Sequence, residues 1–266
     1  MTRIGTKSLL VLSTLSASLG LSSILSAQTK PDILLSETFD GNLSEGLAAT
    51  VIANDYVSLA KDAGPDGSNA VKVDYVGYEK GSKRVTARQK LASTVEAATL
   101  SFDVKFADDF QWVLGGKLHG LGPKSPITGG NKRRPEGWSA RVMFKSDGRS
   151  ATYLYDQDEM KKWGAGETTT GPVFKAGQWH HVILQVRLND PEKTNGFVRI
   201  LVDGEEVMMT PDVTFRGTGG KNTGIQRFLF NTFHGGQSPQ HAPVDESGSP
   251  TTVHAWFDNF LVVEGG

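Results

Sequence analysis

Two pairs of side chains in the middle of the chain combine cationic, hydroxyl and phenolic groups at strand-like spacing. Ser139 precedes Arg141 by two residues and Tyr153 precedes Tyr155 by two, so each pair would share one face of a β-strand. Lys117 follows two glycines, which allow a backbone or a ligand to approach closely. Guanidinium groups bind carboxylates, and phenols or amines can transfer protons. On spacing alone, a solvated outer sheet face is the simpler explanation.

A long segment rich in cations follows Lys117. Residues 123–135 contain four basic residues, Lys124, Lys132, Arg133 and Arg134, and no acidic residue. The whole chain has a formal net charge of -1, so its overall charge does not favour nucleic acid or a membrane surface. We therefore predict that this loop contributes to the binding of an anionic chain. The alternative is a solvated basic loop without a partner.

Short segments of alternating apolar and polar residues, separated by Gly, Pro, Asn and Asp, dominate the chain after residue 30. This pattern is typical of an all-β sandwich or barrel. No long segment has helical periodicity. The pattern predicts strands over residues 33–39, 70–76, 99–106, 111–117, 138–145, 151–157, 179–188, 196–202, 225–233 and 253–263.

Two further features favour a particular sandwich. The turn sequences Asn195-Gly196 and Asp203-Gly204 follow the strand that begins at Trp179, and they indicate a hairpin-rich unit ending in a short strand. Residues 256–263 near the end could pair with residues 35–39 near the start. This layout resembles the concanavalin A-like β-jelly roll, a sandwich of two curved antiparallel sheets with a groove on one of them.

The first 27 residues read as a signal peptide. Arg3 and Lys7 precede an apolar, serine-rich stretch over residues 8–25, and Ser26 and Ala27 offer a cleavage point. A membrane anchor is the alternative, but the stretch is short for a spanning helix. We predict export to the periplasm or the medium, and a single monomeric β-jelly-roll domain over residues 28–266 without membrane contact after cleavage. The absence of cysteine excludes disulfides, thiolate metal sites and a cysteine nucleophile.

An ordered set of short motifs resembles polysaccharide lyase family 14. The resemblance covers most of the chain after residue 28. It rests on Gly115-Gly116-Lys117-Leu118, Trp138-Ser139-Ala140-Arg141, Tyr153-Leu154-Tyr155, Trp179, the two Asn-Gly and Asp-Gly turns, Phe233-His234-Gly235-Gly236 and Asp258-Asn259. It implies a jelly-roll enzyme that cleaves alginate or a related polyuronate such as glucuronan by β-elimination, with an acidic polysaccharide as partner and no metal or cofactor.

The resemblance also implies roles for individual residues. The functional lysine of the family falls on Lys117, its serine and arginine on Ser139 and Arg141, and its two tyrosines on Tyr153 and Tyr155. His119 stands where the family pattern leads us to expect proline, and His234 where a second aromatic residue is frequent, so subsite shape can differ. The predicted substrate-binding residues are Ser139, His119, Lys132, Arg133, Arg134, Gln157, Gln185, Arg187, Asn231 and His234.

Elimination from a uronate places specific demands on the site. The proton on carbon 5 lies next to a carboxylate, so the growing negative charge needs cationic or hydrogen-bonding groups. Arg141 can supply a bidentate fork and Ser139 a hydroxyl contact. We predict that Tyr153 and Tyr155 move the protons, that nearby cations lower the tyrosine pKa, and that the same crowding lowers the pKa of Lys117. Lys117 as the base is the alternative.

Two other functions remain open from the sequence. A retaining glycoside hydrolase needs two carboxylates about 5–5.5 Å apart, and no Glu-x-Asp-x-x-Glu pattern occurs. Asp156, Asp158 and Glu159 come closest, but Asp158 and Glu159 are adjacent and would face opposite ways in a strand. A lectin-like module could use the same aromatic and cationic residues for binding alone.

Overall fold

Segments with alternating apolar and polar side chains form the strands of this chain. The computed structural model describes residues 1, 30–157, 162–220 and 222–266. The predicted signal peptide therefore lies outside the described residues, apart from Met1. One short helix, α1 (Gly46–Ile52), and 3₁₀ turns at Ser146–Gly148, Thr218–Gly220 and Pro239–His241 accompany the strands. The strands are β1 (Ile33–Glu37), β2 (Val57–Ala60), β3 (Ala70–Tyr78), β4 (Gly81–Ser82), β5 (Val85–Val95), β6 (Ala97–Phe106), β7 (Gly116–Gly122), β8 (Ser139–Phe144), β9 (Ser150–Tyr155), β10 (Trp179–Arg187), β11 (Gly196–Val202), β12 (Glu205–Val213), β13 (Ile225–His234) and β14 (Thr252–Glu264).

The strands form two antiparallel sheets. The larger sheet has the order β12-β11-β10-β6-β14-β3-β2, with β1 paired to β14 and β4 to β3. The smaller sheet has the order β5-β13-β7-β8-β9. The predicted pairing of the two chain ends is confirmed, because Leu35 pairs with Val262 and Glu37 with Phe260. The fold is the predicted all-β jelly-roll sandwich.

The inward faces of both sheets form one hydrophobic core. In β8, Trp138 at the strand entrance and Ala140, Val142 and Phe144 are fully buried, as alternation predicts. In β10, Val182 and the alternate residues after it are also buried. Burial of each large apolar side chain stabilises the fold by about 1.5–3 kcal/mol. Residues 31–266 form one compact unit, and no described helix is long and apolar enough to span a membrane.

The strands differ from the predicted ones at β7 and β5, and the short strands β2 and β4 were not predicted either. The predicted strand over residues 111–117 is wrong, because Val113 and Gly115 have φ values of 44° and 106° and the chain turns there. The strand β7 begins only at Gly116. The sequence interpretation also missed β5, where the inward residues include the small Ala87 and the outward residues are largely polar. Its apolar alternation is therefore weak, although β5 forms one edge of the smaller sheet.

Candidate active site

The smaller sheet brings the predicted catalytic side chains together on the face that points away from the core. Arg141 in β8 pairs with Gly120 in β7 on one side and with Tyr153 in β9 on the other. Lys117 in β7 pairs with Met143 in β8. Three adjacent strands therefore carry the lysine, the arginine and the first tyrosine at neighbouring positions.

These residues lie in a cleft made of two adjoining cavities of about 420 and 270 Å³. Both cavities are lined by Lys117, Tyr153, Trp163 and Gly235, so the two meet at this group. No acidic side chain lines either cavity among the described residues. The cationic residues that line one or both are Arg84, Arg88, Lys117, Arg141 and Lys145. The cleft is therefore suited to an anionic ligand.

Arg141 is a buried cation with unused hydrogen-bond donors. Its side chain is 3% exposed, and its Nε and Nη2 atoms have no hydrogen-bond partner in the structure. A side chain at Gly120 would clash with the Ala140 carbonyl and with Arg141 itself, so this glycine provides the space for the guanidinium. Burial lowers the pKa of Arg141 to about 10, so it stays charged near neutral pH. Nε and Nη2 together form the fork that binds a carboxylate.

Lys117 has a strongly lowered pKa. Burial, followed by the charges of Arg141, Lys145 and Arg84, lowers the pKa of its amine to about 7. Its Nζ atom lies 4.4 Å from the centroid of the Tyr153 ring. The direction of this shift agrees with the prediction from the sequence. A lysine in this environment is partly neutral at pH 7 and can accept a proton.

The two tyrosines pack edge to face, with ring centroids 5.6 Å apart. Burial and a hydrogen bond with Tyr155 raise the pKa of Tyr153, and these effects outweigh the opposing charge of Arg141. Arg141 lowers the pKa of Tyr153 as predicted, but the net shift is upward, so the predicted lowering of this pKa is wrong. Tyr155 is fully buried, and its hydroxyl accepts a hydrogen bond of 2.8 Å from the Gly130 amide. Tyr153 keeps its proton at neutral pH and is suited to act as an acid.

Comparison with known proteins agrees with this arrangement. The sequence model of polysaccharide lyase 14 matches residues 65–260. The chain belongs to this family. A search of curated protein sequences gave no match.

Several solved structures with the same fold are described as lyases of alginate or glucuronan, at low sequence identity. A variant of the alginate lyase Aly36B in complex with alginate tetrasaccharide is 19% identical. The match covers 89% of this chain and 98% of Aly36B, with a TM-score of 0.68. The alginate lyase from Aplysia kurodai is 21% identical over 88% of this chain and 100% of its own, with a TM-score of 0.67. The endo-β-1,4-glucuronan lyase from the fungus Trichoderma reesei is 16% identical. The match covers 80% of this chain and 89% of the glucuronan lyase, with a TM-score of 0.54.

Two of the predicted substrate-binding residues of the lyase instead hold its loops in place. The Ser139 hydroxyl is buried and donates a hydrogen bond of 2.7 Å to the Ile127 carbonyl. The Gln157 amide donates to three backbone carbonyls, those of Arg134, Gly137 and Phe215. Neither residue lines a cavity, so the predicted substrate contact is wrong for both. Their donors instead hold the backbone of the loop between β7 and β8 and, at Phe215, the segment after β12.

The two histidines predicted to bind substrate lie inside the sandwich. Between Lys117 and Gly120, β7 has one residue more than the facing segment of β8, so this bulge breaks the alternation and turns His119 into the core. His234 is also buried, and its Nε2 atom lies 2.7 Å from the Gln111 carbonyl. Neither histidine lines the cleft, and both predictions are wrong. The rings around His119 are those of Phe102, Phe228, Phe230, Phe257 and Phe260.

The remaining predicted binding residues fall into three groups. Gln185 and Arg187 lie in β10 of the larger sheet, so the prediction that they bind in the cleft is wrong. Lys132 is exposed and Arg134 is half-buried on the basic loop, and neither lines a cavity. Arg134 pairs with Glu136 at 2.9 Å. The third group comprises Asn231, which lines the larger cavity, and Arg133, which is buried with its guanidinium 4.5 Å from the Tyr155 ring centroid.

The cleft also contains residues that the sequence interpretation missed. Arg84 directly precedes β5, and Arg88 lies within it. Arg88 aligns across the sheet with Leu229, Gly120 and Arg141. The alternation of Thr86, Arg88 and Lys90 against Val85 and Ala87 is the signal that could have revealed them. Lys145, Trp163, Gln237 and His241 are further cavity-lining residues that the sequence interpretation did not assign to the site.

The buried histidines predict a specific acid sensitivity. Burial lowers the pKa of His119 well below 6.5 and that of His234 to about 4. Between pH 6.5 and 4 the unfolded chain binds more protons at these sites, so they reduce the free energy of unfolding as the pH falls, by up to about 1.4 kcal/mol per pH unit each. We expect His119→Phe to lose less stability than wild type between pH 7 and 5 in urea denaturation. An equal loss in both proteins would contradict this prediction.

Proposed function

We propose that this lyase cleaves a polyuronate by β-elimination, with Lys117 as the base and Tyr153 as the acid. The observation that carries the proposal is the buried, unpaired fork of Arg141, next to a lysine whose pKa is about 7, in a cleft without acidic lining. The relatives with the same fold are described as lyases of alginate and of glucuronan. Both polymers carry a carboxylate on their sugar units.

The first step is the placement of the substrate carboxylate. The Nε and Nη2 groups of Arg141 donate to its two oxygens and neutralise the charge that grows when carbon 5 loses its proton. This arrangement is already formed before the substrate binds, so little reorganisation is needed in the transition state. Arg88 and Lys145 extend the cationic character of the cleft to either side, where neighbouring uronate units would lie.

The second step transfers two protons. The neutral amine of Lys117 takes the proton from carbon 5, and the electrons of that C–H bond form the double bond between carbons 4 and 5. The bond between carbon 4 and the glycosidic oxygen breaks, and the departing oxygen takes the phenolic proton of Tyr153. The resulting Lys117 ammonium then returns a proton to the Tyr153 phenolate, directly or through solvent. The Nζ atom lies 4.4 Å from the ring centroid of Tyr153, so the two groups face the same part of the cleft.

Elimination fits the cleft better than hydrolysis does. A retaining hydrolase requires two carboxylates about 5–5.5 Å apart at the scissile bond. The cavities have no acidic lining residue within the part of the chain that the structure describes. In the alginate lyase Aly36B, the variant in complex with alginate tetrasaccharide has a lysine and a tyrosine replaced by alanine. These are the two residue types to which we assign the proton transfers.

The pKa of Lys117 predicts the pH dependence of the reaction. Only the neutral amine accepts a proton, so kcat/KM should rise with pH through about 7 and then level off. Initial rates at limiting substrate, measured from pH 5 to 9 at constant ionic strength, give this profile. A profile that falls through this range, or that shows no ionisation near 7, would contradict the role of Lys117 as the base.

The activity itself is tested on separate polymers. The mature protein is mixed with polymannuronate, polyguluronate, mixed alginate and glucuronan, and the ultraviolet absorbance of the unsaturated product is followed. A rise on one or more polymers supports the proposal and identifies the preferred uronate. No rise on any, together with binding to one of them, would favour the lectin-like alternative.

We also propose that the lyase is exported and acts as a monomer. The basic start, the apolar stretch and the small residues before Gln28 support export. Expression of the full chain in a bacterial host should yield a protein that begins near Gln28 outside the cytoplasm. Retention of residues 1–27 on a cytoplasmic product would contradict export, and a dimeric mass in light scattering would contradict the monomer.

A further inference from the structure

Trp163 is a large apolar side chain that stays exposed at the centre of the cleft. It is 43% exposed, and it lines both cavities together with Lys117 and Tyr153. Burial of an indole is normally favourable, so an exposed indole beside a ligand cleft indicates a contact surface. The steps of the elimination assigned above make no use of this residue.

Contacts of its ring, of its carbonyl and of the next residue hold Trp163 in place. A Cβ atom at Gly130 would lie 2.6 Å from the indole, so the ring packs directly on the backbone of the basic loop. The carbonyl of Trp163 lies 3.5 Å from Nη2 of the buried Arg133. The next residue, Gly164, has its backbone against both tyrosine rings, within 3 Å of a Cβ atom placed there. The indole is therefore held at a defined position relative to the Tyr153 hydroxyl.

The remaining surface of the indole is accessible to a ligand. Lys162 is exposed, and its Nζ atom lies 5.4 Å from the ring centroid, where a bound sugar can displace this flexible side chain. The polar groups of a pyranose lie around its rim and its C–H groups form an apolar face. An aromatic ring held beside cationic carboxylate-binding groups matches both parts of a uronate unit.

We infer that Trp163 is a stacking platform for a uronate ring next to the scissile bond, where the chain passes from one cavity into the other. This inference rests on the proposed function, because it assumes that a polyuronate occupies the cleft. The platform places one sugar unit on each side of the Lys117 and Tyr153 pair. Trp163 is thus a positioning residue that acts through ring contact and not through charge.

Kinetics of matched variants test the inference. Trp163→Ala should raise KM about tenfold, the effect of roughly 1.4 kcal/mol of lost binding, while kcat changes much less. Trp163→Phe, which keeps an aromatic ring, should restore most of the loss. Met209→Ala is the control, because Met209 is 41% exposed on the larger sheet, away from the cleft sheet. A KM for Trp163→Ala equal to that of wild type, or equal impairment in Trp163→Phe, would overturn the inference.

Salt separates stacking from charge and from a general loop defect. The KM penalty of Trp163→Ala should be the same at low and high ionic strength, whereas the penalty of Arg88→Ala should shrink as salt screens the carboxylate interaction. A Trp163→Ala penalty that disappears with salt would show that the residue acts through the neighbouring cations, and would contradict the stacking role.

Fluorescence distinguishes failure of the platform from failure of the lyase activity. In a Lys117→Ala background, saturated tetrasaccharides of mannuronate, guluronate and glucuronate are titrated against tryptophan emission. We expect a saturable change with at least one of them, and its loss when Trp163→Phe is added. This result would support the platform even if the wild-type protein gave no unsaturated product. A change of equal size in the double variant, or no change with any sugar, would overturn it.

Discussion

Replacement of Lys117 by alanine is expected to reduce kcat on the preferred polyuronate on the order of 10³-fold, the largest effect of any single change in the cleft. The amine is the group that takes the proton from carbon 5, and its burial beside neighbouring cations lowers its pKa to about 7. Lys117→Arg should be equally inactive, because guanidinium keeps the charge and does not release its proton near pH 7. Rates from the absorbance of the unsaturated product provide the measurement.

Stability measurements control for unfolding in the Lys117 variants. The pKa of about 7 in the folded protein lies well below the ordinary lysine value of about 10.4, so the unfolded chain binds its proton more tightly at neutral pH. At pH values below about 10.4, Lys117 therefore lowers the free energy of unfolding. Lys117→Ala should unfold at the same or a higher urea concentration than wild type. Substantial activity in either stable variant would exclude Lys117 as the base.

Arg141→Ala is expected to reduce kcat by about 10²–10³-fold, the usual effect of removing one preorganised group that stabilises developing charge. Arg141 lines the larger cavity, and the Nε and Nη2 donors of its guanidinium have no hydrogen-bond partner among the described residues. Arg141→Lys keeps a positive charge but loses the planar fork, and should recover only a small part of the activity.

Arg187→Ala is the matched control for this experiment. Arg187 is exposed at the end of β10 in the larger sheet, so its loss removes one positive charge without changing the cleft. We expect near wild-type rates for this variant. Arg141→Ala with near-full activity and an unchanged fold, or Arg187→Ala with an equal defect, would contradict the carboxylate-binding role of Arg141.

Alternation in the sequence was sufficient to predict much of the site. Trp138 and its alternate neighbours face the core, which places Arg141 on the opposite face of β8, and the same reasoning places Tyr153 in β9. Local period-two patterns determine such faces because strand geometry is regular. The pairing of the two chain ends was also predictable, since residues 256–263 form a strongly apolar strand that needs a neighbour.

Several of the failed predictions depend on tertiary structure. The bulge in β7 turns His119 to the face opposite to the one expected. No local sequence pattern indicates that β7 has one residue more than β8 at this point. Alternation gives Gln185 an outward face but not the sheet to which β10 belongs. Burial decides the direction of the pKa shift of Tyr153, and burial is known only once the loops have closed over β9. Arg88 was missed because its strand has a weak apolar face.

The most direct test of the central claim is the mass of the products formed in ¹⁸O-labelled water. Elimination takes up no water, so we predict unsaturated oligouronates that absorb in the ultraviolet and carry no ¹⁸O from bond cleavage. Mass spectra taken at early times, with an unincubated oligosaccharide to correct for slow exchange at reducing ends, give this result. Saturated products with one ¹⁸O atom per cleavage would show hydrolysis and would contradict the account.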